Sequence, residues 1–383
     1  MKTLLKLFII TLTISTLYCN ANNSKATTAF HKTEKTTPTQ KIKVALLLDT
    51  SNSMDGLINQ AKTQLWEIIN ELSYFKCGNN RPDLLIALYE YGNDGLLQSD
   101  GYIRQVLSFS DDLDEISKKL FALKTNGGSE FCGQVIQTSL NDLKWGNSKH
   151  DLNLIFIAGN EPFTQGPVSY KHAVINANEK DVTVNTIFCG NYENGISGKW
   201  REAAKLTNGD YLTINHNREI IHIATPFDHI IINLNKKLNN TYINYGNRGY
   251  SKLKMQAEQD SEAAELNEVV IVKRAISKSS RMYKNSSWDL VDAMKDKKFK
   301  YEKLDKNSLP KYLQNKSDKE LKEHIELKRS ERVLIQKKIQ DLNKSRKEYI
   351  KQHQKNSNDK DDLENALMTA IKKQAKKKNF SWD

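Results

Sequence analysis

The chain has 383 residues, of which 38% are hydrophobic and 27% charged, with 17 glycines, 6 prolines and 4 cysteines. These proportions exclude a collagenous chain, a Pro/Gly-rich disordered one and a disulfide-dense scaffold. Beyond the first 20 residues no apolar run nears the ~18 residues needed to cross a bilayer. The net charge of +12 is uneven, because residues 251–383 hold 33 Lys and Arg against 22 Asp and Glu while 1–250 is almost neutral.

At the N-terminus two lysines, Lys2 and Lys6, precede an apolar stretch over 7–17 and then small polar residues. That layout predicts a secretory signal peptide over 1–21. Cys19 offers a lipidation site, but Thr16 and Tyr18 before it fit a lipoprotein cleavage pattern poorly, and cleavage after Ala21 competes. Residues 22–40, rich in Thr and Lys, read as a flexible tether.

Residues 43–49 form an unbroken apolar run, the mark of a strand buried on both faces of a parallel sheet. Helical spacing follows over 56–72, then strands over 84–89 and 103–109 and helices over 113–123 and 133–143. A strand over 152–158, a helix over 170–178, a strand over 182–188, a helix over 198–206, an edge strand over 211–214 and a helix over 220–238 complete the alternation. Strands separated by helices predict an α/β fold with a doubly wound, mostly parallel sheet. Its binding site should lie at the carboxyl ends of the strands, just after Leu48, Ala158 and Phe188.

One such end carries Asp49-Thr50-Ser51-Asn52-Ser53. A carboxylate and two hydroxyls at alternate positions are hard oxygen ligands suited to Mg²⁺, Mn²⁺ or Ca²⁺ rather than zinc. Here the chain resembles the von Willebrand factor type A domain, whose metal-ion-dependent adhesion site has an Asp-x-Ser-x-Ser motif after the first strand. The resemblance covers 41–240. It assigns Ser129, in Asn126-Gly127-Gly128-Ser129-Glu130, to the family's Thr position. It also exposes a departure: the family's Asp after the fourth strand is Gly159 here, with Asn160 and Glu161 as nearby substitutes. The alternative roles are plain ones, with Ser51, Ser53 and Ser129 as helix caps and Glu161 as a loop carboxylate. What the resemblance implies is a Mg²⁺-type site that binds a carboxylate on a protein partner. If Glu161 also ligates, the formal charge is balanced and the pull on an external carboxylate weakens.

Cys132 and Cys189 are both expected near this rim, where a disulfide between them would brace two loops; Cys77 is expected at the opposite end of the sheet. The segments 89–94 and 191–193 also follow strands and could shape the ligand surface. None of the 8 histidines, His172, His216, His222 and His229 among them, sits in a nucleophile–base motif. Binding is therefore preferred to catalysis. The rival reading is a metal-dependent hydrolase using Asp49, Glu161 and a metal-bound water.

Residues 250–383 read as a basic helical extension. Helices are expected over 257–280, from Ser287 next to Trp288, over 317–350 behind a Ser317–Glu320 capping box, and over 361–378. Arg332 and Arg346 interrupt the apolar stripe of the long helix, which argues for a packed hairpin over a coiled coil. The extension packs on the domain, meets a second partner, or touches an anionic membrane surface; nothing in it specifies nucleic acid. Ile157-Ala-Gly-Asn-Glu-Pro-Phe163 and Asn285-Ser-Ser-Trp-Asp-Leu-Val-Asp292 resemble bacterial envelope proteins with one von Willebrand A domain and a helical extension.

Overall fold

The first strand, β1 (Lys41–Asp49), buries Val44, Ala45, Leu47 and Leu48, so neither of its faces meets water. It belongs to a computed structural model that describes residues 40–78, 80–217, 223–353 and 363–382. The segments expected to be a signal peptide, with Cys19, and nearly all of the expected tether lie outside the described residues, as does His222.

After β1 come α1 (Asp55–Ser73), the two-residue β2 (Phe75–Lys76), β3 (Asp83–Tyr91), β4 (Ile103–Ser110), α2 (Leu113–Phe121) and α3 (Cys132–Asp142). Then follow β5 (Leu152–Gly159), α4 (Tyr170–Glu179), β6 (Thr183–Cys189), α5 (Tyr192–Ser197), α6 (Trp200–Lys205), β7 (Tyr211–Ile214) and α7 (Asp228–Asn239). Six strands form one sheet in the order β4-β3-β1-β5-β6-β7. All neighbours are parallel except β4, which runs antiparallel to β3. The alternation of side chains sorts the sheet into two cores. Val44, Leu48, Leu154 and Phe156 face one core with α1 and α2, and Ala45, Leu47, Ile155 and Ile157 face the other with α3 and α4.

Helix α7 starts at Asp228, later than the spacing predicts. Pro226 disfavours helix in the residue before it, and the Asp228 carboxylate accepts from the Thr225 N–H (2.9 Å) and hydroxyl (2.7 Å), turning the chain there. The helix α5 was not anticipated. Asn191 starts it by accepting from the Glu193 N–H at 2.9 Å.

In the extension, the helix expected over 257–280 is two helices, α8 (Gly249–Leu266) and α9 (Glu268–Lys278). Asn267 separates them in an extended conformation and caps α9 through its side chain, which accepts from the Val269 N–H. The next helix, α10 (Leu290–Ala293), is capped by Asp289, not opened at Ser287. A short α11 (Lys311–Gln314) precedes α12 (Asp318–His353). The Ser317–Glu320 capping box is formed, each side chain accepting from the other residue's N–H.

Helix α12 does not fold into a hairpin; it lies across α7, α9 and α10. The two arginines that spoil its apolar stripe are the reason. Arg332 is 1% exposed and donates to Asp289 (2.6 Å), Asp292 (3.0 Å) and the Thr241 carbonyl (2.7 Å), with its guanidinium over the Tyr242 ring. Arg346 donates to Asp228 at 2.9 Å. A second buried cluster ties α8 and α9 to α2, where Arg274 reaches Asp114 (2.8 Å) and Asp260 (2.6 Å) and Lys278 reaches Asp260 (2.8 Å). Several basic residues of the extension are thus turned inward.

The last helix, α13 (Leu363–Lys377), buries Leu363, Leu367 and Ile371 against α1 and the sheet beside β5 and β7. Beyond it β8 (Ser381–Trp382) pairs antiparallel with β2, and Trp382 stacks on Phe75. The described residues form one compact unit. Among the described residues no helix is long and apolar enough to cross a membrane.

Two outcomes are expected. Ile371→Ala should cost about 2–5 kcal/mol of stability, the range for a fully buried aliphatic residue, read as a lower urea midpoint. Burial alone would raise the Asp260 pKa, but Lys278 and Arg274 outweigh it and hold the carboxyl well below the usual range. A depressed folded-state pKa gives stability that is present above the unfolded value of about 4 and lost as pH falls further. Asp260→Asn should therefore lower the urea midpoint at pH 7 and flatten its decline below pH 4.

Candidate metal rim

Asp49, Tyr91, Gly159 and Cys189 end β1, β3, β5 and β6. In register Asp49 lies opposite Tyr91, Leu48 opposite Ala158, and Gly159 opposite Phe188, so four neighbouring strands end at one rim. Backbone hydrogen bonds knit the loops above it, Thr50 N–H to the Tyr91 carbonyl (2.9 Å) and Asn126 N–H to the Thr50 carbonyl (3.0 Å). The loops cross closely at Gly128, where a Cβ would stand 2.3 Å from the Gly92 carbonyl oxygen.

Asp49 is fully buried. Its Oδ1 accepts from the Ser51 N–H at 2.8 Å, and its Oδ2 is buried without a hydrogen-bond partner. Ser51 and Ser53 place their hydroxyls 3.4 Å apart, and Ser53 accepts from the Asn160 amide at 3.1 Å. The Asn160 Oδ1 is itself buried and unpartnered. Neither Ser51 nor Ser129 acts as a side-chain helix cap. The short turn after Ser51 has no side-chain cap bond, and α3 starts at Cys132 with Phe131 at the cap position. Glu161 is half-buried, its carboxylate accepting from Gln165 at 3.2 Å.

The structure adds a residue that the sequence reading passed over. Glu130, beside Ser129, is 6% exposed. A Cβ on Gly92 would lie 2.8 Å from the Glu130 Cγ and 2.9 Å from the Asp49 Oδ1, so the two carboxylates flank one glycine. Burial pushes the Asp49 pKa up to about 7, and Glu130 and Glu161 add to the rise against the Ser51 N–H. Burial likewise pushes Glu130 up to about 7, with Glu161 and Asp94 adding to it. Among the described residues neither carboxylate is in an ion pair, and the main groups acting on each are burial, hydrogen bonds and other carboxylates. His216 also reaches this rim, close to the Ser53 backbone, with its Nδ1 buried and unpartnered.

Gly159 cannot simply be read as a lost ligand. A Cβ there would meet the Tyr91 hydroxyl at 2.6 Å and the Asp49 Oδ2 at 3.0 Å. That hydroxyl donates to the Ala158 carbonyl at 3.0 Å and fills the space beside the missing side chain.

The oxygen donors fit a hard divalent cation. They include an orphaned carboxylate oxygen, an orphaned amide oxygen, hydroxyls and a second carboxylate. Among the described residues no group of three His, Cys, Asp or Glu side chains forms a metal cluster of its own. The cysteines do not brace the rim. Among the described residues Cys77, Cys132 and Cys189 are all free thiols. Cys132 packs in the core with α3 and Cys189 in the core with α1, on opposite faces of the sheet.

Residues 43–198 match the model of the von Willebrand factor type A domain. They belong to that family. Domains of this family commonly mediate protein–protein interactions and often bind a divalent metal. Among solved structures the chain is similar to the conserved hypothetical protein BatB from Bacteroides thetaiotaomicron, at 15% identity over 45% of this chain and 90% of that one, with a TM-score of 0.35. It is similar to the SpRpn10 VWA domain at 14% identity, 45% and 88% coverage and a TM-score of 0.35. An aerotolerance-related membrane protein from Bacteroides fragilis gives 16% identity, 46% and 93% coverage and a TM-score of 0.30. No curated protein matches the chain.

Restoring the family's aspartate should fail on its own. Gly159→Asp is expected to destabilise the domain by about 1–3 kcal/mol through overpacking. Adding Tyr91→Phe should recover part of that loss, read by urea unfolding of both variants.

Proposed function

We propose that the protein is an exported binding or scaffold protein whose von Willebrand A rim holds a divalent cation and, through it, a carboxylate of a protein partner. The observation that carries this reading is Asp49, fully buried at the strand ends with one oxygen unpartnered and no ion-pair partner among the described residues. A buried carboxylate without a counter-charge is costly, and a cation would offset that cost. Asp49, Ser51, Ser53 and Ser129 would hold it, with Asn160 and Glu130 beside them. The cation supplies a Lewis-acidic contact for an incoming oxygen. Asp49 fixes its place, the serine hydroxyls orient around it without adding charge, and the crossed loops keep bulk water from the Asp49 side.

Glu130 sets this rim apart. Two carboxylates balance a dication, so the pull on an external carboxylate is weaker than at a rim with one, and reversible attachment suits it better than permanent adhesion. Export is supported by the charged, apolar and small-residue order of residues 1–24. A hydrolase is the second reading, favoured by His216 beside Ser53; metal-dependent turnover lost in Asp49→Ala would establish it.

Calorimetry of residues 22–383 with Mg²⁺ and Mn²⁺ tests the main reading. Wild type should bind one ion, Asp49→Ala none, and Glu130→Gln should bind about tenfold more weakly or worse. The two carboxyl variants should also melt at higher temperature than wild type in metal-free buffer, since each removes a buried, uncompensated charge. Equal metal binding by wild type and Asp49→Ala would overturn the site.

A further inference from the structure

A second site opens at the other end of the molecule. A cleft of about 400 Å³ lies between the segment after α9, the end of α7 and α10, with Pro82 at the start of β3 behind it. That volume is within the ~300–1,000 Å³ range of small-molecule sites. Three of its lining residues carry unspent donors. Asn285 is 4% exposed; its Oδ1 accepts from the Trp288 indole at 3.1 Å, while its Nδ2 is buried and unpartnered. Tyr242 is 6% exposed, stacked on Trp288, with its hydroxyl buried and unpartnered. Arg281 donates one Nη to the Pro82 carbonyl at 3.0 Å, and its Nε and other Nη are buried without partners.

The other charges facing the cleft are already engaged. Asp292 accepts from Arg332 (3.0 Å) and Lys295 (2.8 Å), Lys284 pairs with Asp83 (2.5 Å), and Asp296 accepts from the Lys298 N–H (2.8 Å). Arg281 has no carboxylate within ion-pair distance among the described residues. Burial and the neighbouring Arg81 press its pKa down, and Asp83 opposes them less strongly. Left without a partner among the lining residues, just beneath the cleft's surface, are one guanidinium fork, one amide N–H₂ and one phenol.

Donors of this number on one cleft call for an acceptor with several lone pairs, more than a single water oxygen offers. A carboxylate or phosphate supplies them, and a guanidinium fork matches either geometry. We propose that this cleft binds the oxyanion head of a small acidic molecule, with Arg281, Asn285 and Tyr242 as its donors. The segment Asn285–Asp292 thereby gains a second role. Trp288 and Asp289 hold the extension together through the Tyr242 stack and the Arg332 ion pair, and the Asn285 amide is left to face a ligand.

The test is calorimetric titration of the full chain with inorganic phosphate and, separately, succinate, in metal-free buffer at fixed ionic strength. Saturable one-site binding is expected for at least one anion. Phosphate alone assigns a phosphorylated ligand, succinate alone a carboxylate ligand, and both a general oxyanion site. Arg281→Met and Asn285→Asp should each weaken binding about tenfold or more; the aspartate keeps the acceptor for Trp288 but replaces the donor by a charge of the wrong sign. Tyr242→Phe removes one oxygen, leaves the stack in place and should weaken binding severalfold, so it decides the matter if Asn285→Asp unfolds. Absence of saturable binding at millimolar anion, or affinities unchanged in Arg281→Met and Tyr242→Phe, would overturn the proposal.

Discussion

A parallel sheet with two apolar faces must be covered on both, and most of this structure follows from that requirement. One face is closed locally by α3, α4 and α6, drawn from residues 132–205. The other is closed from far apart in the chain, with α1 and α2 joined by α7, α9 and α13. The extension is therefore part of the wall of the domain. Its buried ion pairs sit at the seams, Arg274 where α9 meets α2 and Arg332 where α12 meets the end of α7. A guanidinium left unpaired in such a place would cost far more than the pair itself returns. These pairs consequently specify which helix lies against which, beyond any stabilisation they add.

The same sheet places the rim and the oxyanion cleft at opposite poles. The rim gathers where β1, β3, β5 and β6 end, and the cleft opens beside Pro82, where β3 begins. The two poles differ in the sign of what is left unsatisfied. At the rim the orphans are acceptors, the Asp49 and Asn160 oxygens, whereas in the cleft they are donors. A cation answers the first and an anion the second, and one rigid sheet joins them.

Much of the fold was legible because apolar runs such as 43–49 and 152–158 have no other economical reading than central strands. The position of Asp49, Ser51 and Ser53 at the strand ends was legible too, since motif and strand end coincide. Glu130 was not, because one acidic residue in a Gly-rich loop looks like any solvated loop carboxylate until its burial is known. Tyr91 was hidden for a different reason: a tyrosine ending a strand gives no hint that its hydroxyl occupies the space beside Gly159. The Cys132–Cys189 pairing placed both residues near one rim but ignored parity. Phe188 and Cys189 point to opposite faces, so Phe188 joins the core of α3 and Cys189 turns away from it. Arg332 and Arg346 misled in the other direction, because charged residues in an apolar stripe look like interruptions when their carboxylate partners lie far away in sequence.

The late position of α13 has a consequence for how the molecule is made. Leu363, Leu367 and Ile371 close the face beside α1, about three hundred residues upstream, so that face stays open until the ribosome has passed position 371. Contacts of such separation form slowly, since a long loop must close before they return any energy. Until Leu363, Leu367 and Ile371 arrive, the segments made before them carry one apolar face that nothing later in the fold has yet covered.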